Sequence, residues 1–252
     1  MSAEATRGRP PFDPDSMQSR IPTERPRDGG WARRTARTLW IGLRSPRALF
    51  LRCPEPIDHG AALRYLATLR LLPWLVLVSW LAVSWMRSPE PEVALSRAIH
   101  AFIDPAMGQA VSVWLLLMVP VGMPMLYFVC GLVCHVALGL TGGASRSVGA
   151  SMRAVGYAMG PALLGVAVLD ALLFTAGLDG LVHLLVTAAV MALFLRGAAL
   201  GLASTHHIHL VRAILVALVP AALLTGAFYG RAMLLLDDPP GLPAPPSKYV
   251  VP

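Results

Sequence analysis

The run LVHLLVTAAVMALFLRGAALGLA, residues 181–203, carries a single formal charge, Arg196. As a helix rising 1.5 Å per residue it spans the roughly 30 Å hydrocarbon core of a bilayer, which takes about 20 apolar residues. Comparable runs at about 69–86, 110–140, 154–176 and 213–236 fill nearly everything from Leu69 to Leu236. A hydrocarbon interior leaves backbone polar groups no water to bind, so each run must satisfy them within its own helix. The chain therefore reads as all-α, a polytopic membrane helical bundle with five transmembrane helices and a basic interfacial segment.

Composition agrees. The 252 residues are 56% apolar and 14% charged, with mean hydropathy +0.61, against roughly 25% charged residues in an ordinary soluble domain. The net charge of +7 is gathered in one place, since 13 of the 21 Lys and Arg lie in the first 70 positions. That distribution points to anionic lipid headgroups as the partner and away from nucleic acid. Lys248 is the sole lysine, and the Ala, Leu, Gly and Arg richness matches a GC-rich, bacterial genome.

Residues 1–30 hold Pro10, Pro11, Pro14, Pro22 and Pro26 among charges and glycines, the composition of a disordered tail. With no apolar stretch or cleavage site there, no cleaved leader is expected, and the first span directs insertion. Residues 31–65 read as a basic amphipathic interfacial segment. Leu39, Trp40, Leu43 and Phe50 fall at helical spacings, with Arg33, Arg34, Arg37, Arg44, Arg47 and Arg52 between them, and Ser45-Pro46 divides it in two. Residues 66–236 form the transmembrane domain and 237–252 a Pro-rich outer tail. The second span, about 46 Å long if unbroken, should kink at Pro120 and Pro124.

Candidate sites within the spans are of three kinds. Gly156/Gly160, Gly197/Gly201 and Gly226/Gly230 are each four apart in consecutive spans, a spacing that permits close helix approach and predicts a compact three-helix unit. Asp170 and Arg231 lie at matching depths near the outer ends of the third and fifth spans, and a pair between them is the simplest way to lower the cost of each charge. Arg196, near the inner end of the fourth span, is expected to snorkel to headgroups.

Other chemistry is thinly represented. His206, His207 and His209 follow the fourth span, while Cys130, Cys134 and His135 end the second, but no motif with zinc-ligand spacing occurs. The three cysteines form no disulfide framework. Ser145, Ser147 and Ser151 lack a carboxylate neighbour in sequence, and no nucleophile elbow or phosphate-binding loop is present. No catalytic, metal or cofactor role is expected.

Gly142-Gly143, then Gly156-Tyr157 and Pro161 opening a helix after a short Gly/Ser/Arg loop, resemble the Yip (Ypt-interacting protein) family of membrane proteins. The order of parts is also similar: a basic tail, Ser45-Pro46 and Phe50, Ala62-Leu63-Arg64-Tyr65 at the mouth of the first span, and five close helices. The likeness covers about residues 35–236. The D-L-Y-G-P signature of the family's eukaryotic branch is absent, so that branch's small-GTPase partnership is not carried over. The resemblance implies a non-enzymatic integral membrane protein that acts through helix packing and contact with lipid, a membrane-protein partner or a second copy. On this view Gly156 allows close approach, Pro161 occupies the first turns of the third helix, and Tyr157 sits at the interface. The alternative is a small permease with a polar route near Asp170 and Arg231, drawing on His135 or His183.

Orientation follows from arginine placement. With the tail in the cytoplasm, 17 of the 21 basic residues lie on that side, leaving Arg87, Arg97, Arg231 and Lys248 opposite. The chain is thus expected in the inner membrane with its amino end inside and its carboxyl end outside. Accessibility labelling of single cysteines at positions 10 and 248 should place them on opposite faces. Labelling of both from one side overturns this topology.

Overall fold

A computed structural model describes residues 21–25, 29–51, 58–87, 111, 114–175 and 180–233, with backbone alone at 85, 227 and 229–233. Helix α1 (Trp31–Arg44) and the short α2 (Pro46–Phe50) precede five longer helices, α3 (His59–Arg87), α4 (Val119–Leu140), α5 (Val148–Thr175), α6 (Gly180–His206) and α7 (Leu210–Met233). Among the described residues there is no strand. Four helices, α3 to α6, are long and apolar enough to cross a membrane, and α7 is apolar over its shorter stretch Leu210–Gly226. Their outward faces carry Val76, Trp80, Val121, Leu185 and Leu215, the surface a lipid-embedded bundle presents.

Helix α5 is the hub. Residues from Gly149 to Asp170 are buried on almost every side of it, and α3, α4 and α6 all pack directly on it, with α7 against α6 and α4. The glycines serve this packing differently from the expected three-helix unit. Gly156 lies under the ring of Tyr127 from α4, and Gly160 under Tyr65 from α3. Tyr65 and Tyr157 lie with ring centroids 5.3 Å apart. Gly197 does meet α5, where an added Cβ would lie 3.3 Å from Ala158, but Gly201 receives Phe50 of α2 and Gly226 faces open space. The backbone at Gly230 is helical, and its surroundings lie outside the described residues.

Helix boundaries differ from the hydropathy reading at three places. Helix α3 begins at His59, so residues 59–65, read as interfacial, form its first two turns. Helix α5 begins at Val148, so Pro161 is mid-helix and not in the opening turns, leaving the Tyr157 carbonyl without its usual donor. The second span breaks at Met118, just before Pro120, while Pro124 stays inside α4. At helix position two, Pro120 removes an N–H that has no partner there anyway.

The Gly142-Gly143 pair has a plain local cause. Gly142 takes φ +68°, Gly143 N donates to Leu138 O at 2.7 Å, and Gly142 N donates to Gly139 O at 3.1 Å, a Schellman end for α4. His207, with φ 55°, ends α6 in the same way.

The segment expected to be a structureless tail is folded over part of its length. Residues 22–24 make one turn of 3-10 helix in which Pro22, Thr23 and Glu24 are all buried, as is Ile21 before it; residues 1–20 and 26–28 lie outside the described residues.

At Gly131 an added Cβ would fall 2.5 Å from the Met152 backbone. Gly131→Ala should therefore lower stability in detergent by about 1–3 kcal/mol, while Gly226→Ala, with open space around it, should leave the melting temperature unchanged or raised. Equal melting of the two variants would contradict this packing.

Candidate functional site

Four polar groups on the buried hub α5 organise everything around them. One of them is Arg153, 2% exposed. Its Nη1 stands 3.7 Å from Glu24 Oε1. The Tyr157 hydroxyl donates to the same carboxylate oxygen at 3.2 Å and accepts from Thr23 Oγ1 at 3.0 Å. Thr23 N donates to Thr38 Oγ1 of α1 at 3.3 Å. Tyr157 is thus a buried anchor and not an interfacial aromatic, and the short 3-10 turn is a strap tying α1 to the hub.

Further bonds hold α1 flat against the bundle. Trp31 Nε1 donates to Thr68 Oγ1 of α3 at 2.8 Å, and the guanidinium groups of Arg34 and Arg64 lie over the Trp31 ring at 5.4 and 5.5 Å. Arg34 also donates to the Arg25 carbonyl. At the other end of α1, Arg196 Nη1 donates to Leu43 O at 3.0 Å, a carbonyl in the last turn of the helix. Arg196, expected at headgroups, thus satisfies a carbonyl that the helix end leaves open. The face of α1 and α2 turned away from the bundle exposes Arg33, Arg37, Arg44 and Arg47, with Trp40 59% exposed under the Arg44 guanidinium.

Nearer the loop end of α5, Ser151 is fully buried between two imidazoles. His135 Nδ1 lies 3.0 Å from Ser151 Oγ and His206 Nε2 lies 2.8 Å from it. Arg146 N donates to His206 Nδ1 at 3.3 Å, so a neutral His206 carries its proton on Nε2 and gives it to Ser151. The serine hydroxyl then points at His135 Nδ1. With Ser145 Oγ donating to His206 O at 2.7 Å, this arrangement staples the 141–147 loop and the ends of α4 and α6. Among the described residues no three His, Cys, Asp or Glu side chains gather as metal ligands. Cys130 and Cys134 are buried free thiols.

Near the far end of α5, Asp170 Oδ2 accepts from Arg70 Nη2 at 2.5 Å, with both side chains at most 4% exposed. A first span read as starting at Leu69 puts Arg70 at its mouth, but α3 starts at His59 and Arg70 stands eleven residues into it. The Arg231 side chain lies outside the described residues, and so does any contact it makes with Asp170. A buried carboxylate and guanidinium each cost several kcal/mol to desolvate, and only close pairing offsets that.

Sequence reasoning named Tyr157, Asp170 and Arg196 but missed Glu24, Arg153, Arg70 and the Ser151 clamp. A signal existed for Arg70 and Arg153, since both fall inside or beside apolar runs. None marked Glu24. Set against protein-family models, curated proteins and solved structures, the chain matches none of them.

Removing one partner of a buried pair strands the other. Arg70→Ala and Asp170→Ala should each cost about 3–5 kcal/mol, and the swap R70D/D170R should recover part of that loss, read as melting temperature in detergent. A swap no better than either single change would show that the two side chains do not act as a pair.

Proposed function

We propose that the chain is a non-enzymatic, Yip-like multi-pass protein whose bundle holds a basic platform against the cytoplasmic leaflet of the inner membrane, organising anionic lipid and membrane-protein partners there. The observation carrying this reading is the exposed face of α1 and α2, where Arg33, Arg37, Arg44 and Arg47 flank Trp40 while α1 is bonded to the strap, α3 and α6. A helix of this kind lies in the interface, and each arginine near an anionic surface contributes about 1 kcal/mol.

Five crossings are part of the proposal. Helix α7 runs to Met233 and is apolar from Leu210 to Gly226, which supports a fifth span, an amino end inside and a carboxyl end outside. The permease alternative takes support from a carboxylate buried at membrane depth, Asp170. Any solute using it would have to compete with Arg70, already bonded there.

Native membranes extracted into polymer discs should carry anionic lipid enriched around the protein over the bulk membrane. The variant R33Q/R37Q/R44Q/R47Q should lose most of that enrichment. Extraction at 1 M salt should do the same, because the screening length falls to about 3 Å. Equal enrichment for variant and wild type would remove the headgroup role, and protein-dependent solute flux in vesicles would favour the permease.

A further inference from the structure

We infer that the seam between α4 and α7 at the loop end is a seat for one anionic phospholipid, distinct from the α1 platform. A groove of about 550 Å³ opens there, with Arg212, His209 and Thr141 at its mouth and Val216, Leu215 and Val219 along its wall. The proposal rests on the reading above only in requiring that the bundle sits in a bilayer.

The groove is graded as a lipid is graded. Its polar groups lie at the level of the 141–147 and 207–209 turns, where span ends meet water and headgroups. Its apolar wall descends along α7 into the level of the hydrocarbon. Leu215 and Val219 are 61% and 44% exposed, so the wall faces outward to an acyl chain. Arg212 supplies positive charge, and its stem is positioned by Gly143, where an added Cβ would meet Arg212 Cδ at 3.4 Å. Arg212 and His209 also stand at the start of α7, where the helix dipole is positive and the first N–H groups lack intrahelical acceptors. Cation, helix start and apolar wall converge on a phosphate with a chain below it.

A second groove on the same seam shows why this end is chosen. It is about 350 Å³, lies between Met118, Gly122, Met123 and Phe228, and has Arg70 as its only charged lining residue among the described residues. That guanidinium is bonded to Asp170, so among the described residues the outer groove shows no cation to offer a headgroup, whereas Arg212 lies exposed at the inner one.

The test uses the full chain, stripped of lipid in detergent, re-supplied with phosphatidylglycerol or phosphatidylcholine and weighed intact by native mass spectrometry. Wild type should retain one phosphatidylglycerol in preference to phosphatidylcholine. Arg212→Gln should weaken that retention roughly fivefold, Arg212→Lys should restore much of it, and Leu215→Trp should block the groove without touching charge. R33Q/R37Q/R44Q/R47Q should keep the retained lipid even where it loses bulk enrichment, which separates failure of the platform from failure of the seat. Unchanged selectivity in both R212Q and L215W, or loss in the platform variant alone, overturns the proposal.

Discussion

A polar side chain buried in an apolar bundle is costly to leave unanswered, and α5 carries four. Arg153 is answered by Glu24, Tyr157 by Thr23 and Glu24, Ser151 by His135 and His206, and Asp170 by Arg70. The partners come from four elements: the amino-terminal strap, α4, the end of α6, and α3. Apolar packing alone would allow these elements to slide, because one methyl-lined surface serves nearly as well as the next. In lipid, where helices gain nothing from water exclusion, the polar pairs fix register and the glycines set distance. The strap follows from the same rule, since Arg153 stays buried only where a carboxylate can reach it.

Much of the architecture was legible because it depends on a one-dimensional property. Mean hydropathy over a window locates spans, and the runs ending near Leu140, Thr175 and His206 agree with helix ends to within a few residues. Starts were less legible. Helix α3 opens on His59 and Gly60 and helix α5 on a Gly/Ser stretch, so both carry an initial turn or more that hydropathy does not mark. That shift moved Arg70 from mouth to interior and Pro161 from first turn to mid-helix.

The pairings were less legible still. Glu24 and Arg153 are separated by more than a hundred residues, and nothing in a Pro-rich acidic and basic tail distinguishes the one glutamate that folds back. Asp170 offered a visible signal as the one acid within the spans, but depth matching favoured Arg231 because Arg70 was placed too shallow. The small-residue spacing was informative about closeness and silent about partners: Gly156 and Gly160 admit tyrosines from α4 and α3, neither of which the four-residue interval can name.

The residues behind the family likeness turn out to have mechanical duties. Gly142 and Gly143 end α4, Gly156 seats Tyr127, Tyr157 binds the strap, and Pro161 shares a narrow crevice with Gly42 and Phe50 where α1, α2 and α6 meet the hub. A fold marked by such positions can serve many ends, and function has to be read from what the fold displays. Two things are displayed at the loop end of this bundle. One is a basic, tryptophan-bearing platform bonded so firmly that its arginines face outward as a set. The other is a seam where α7 closes loosely on α4 and an exposed arginine stands above an apolar wall. Both set exposed arginine beside apolar surface, the chemistry of a headgroup contact. Since the interior polar groups pair chiefly with one another, these two outward features are where the proposed contacts with the bilayer rest.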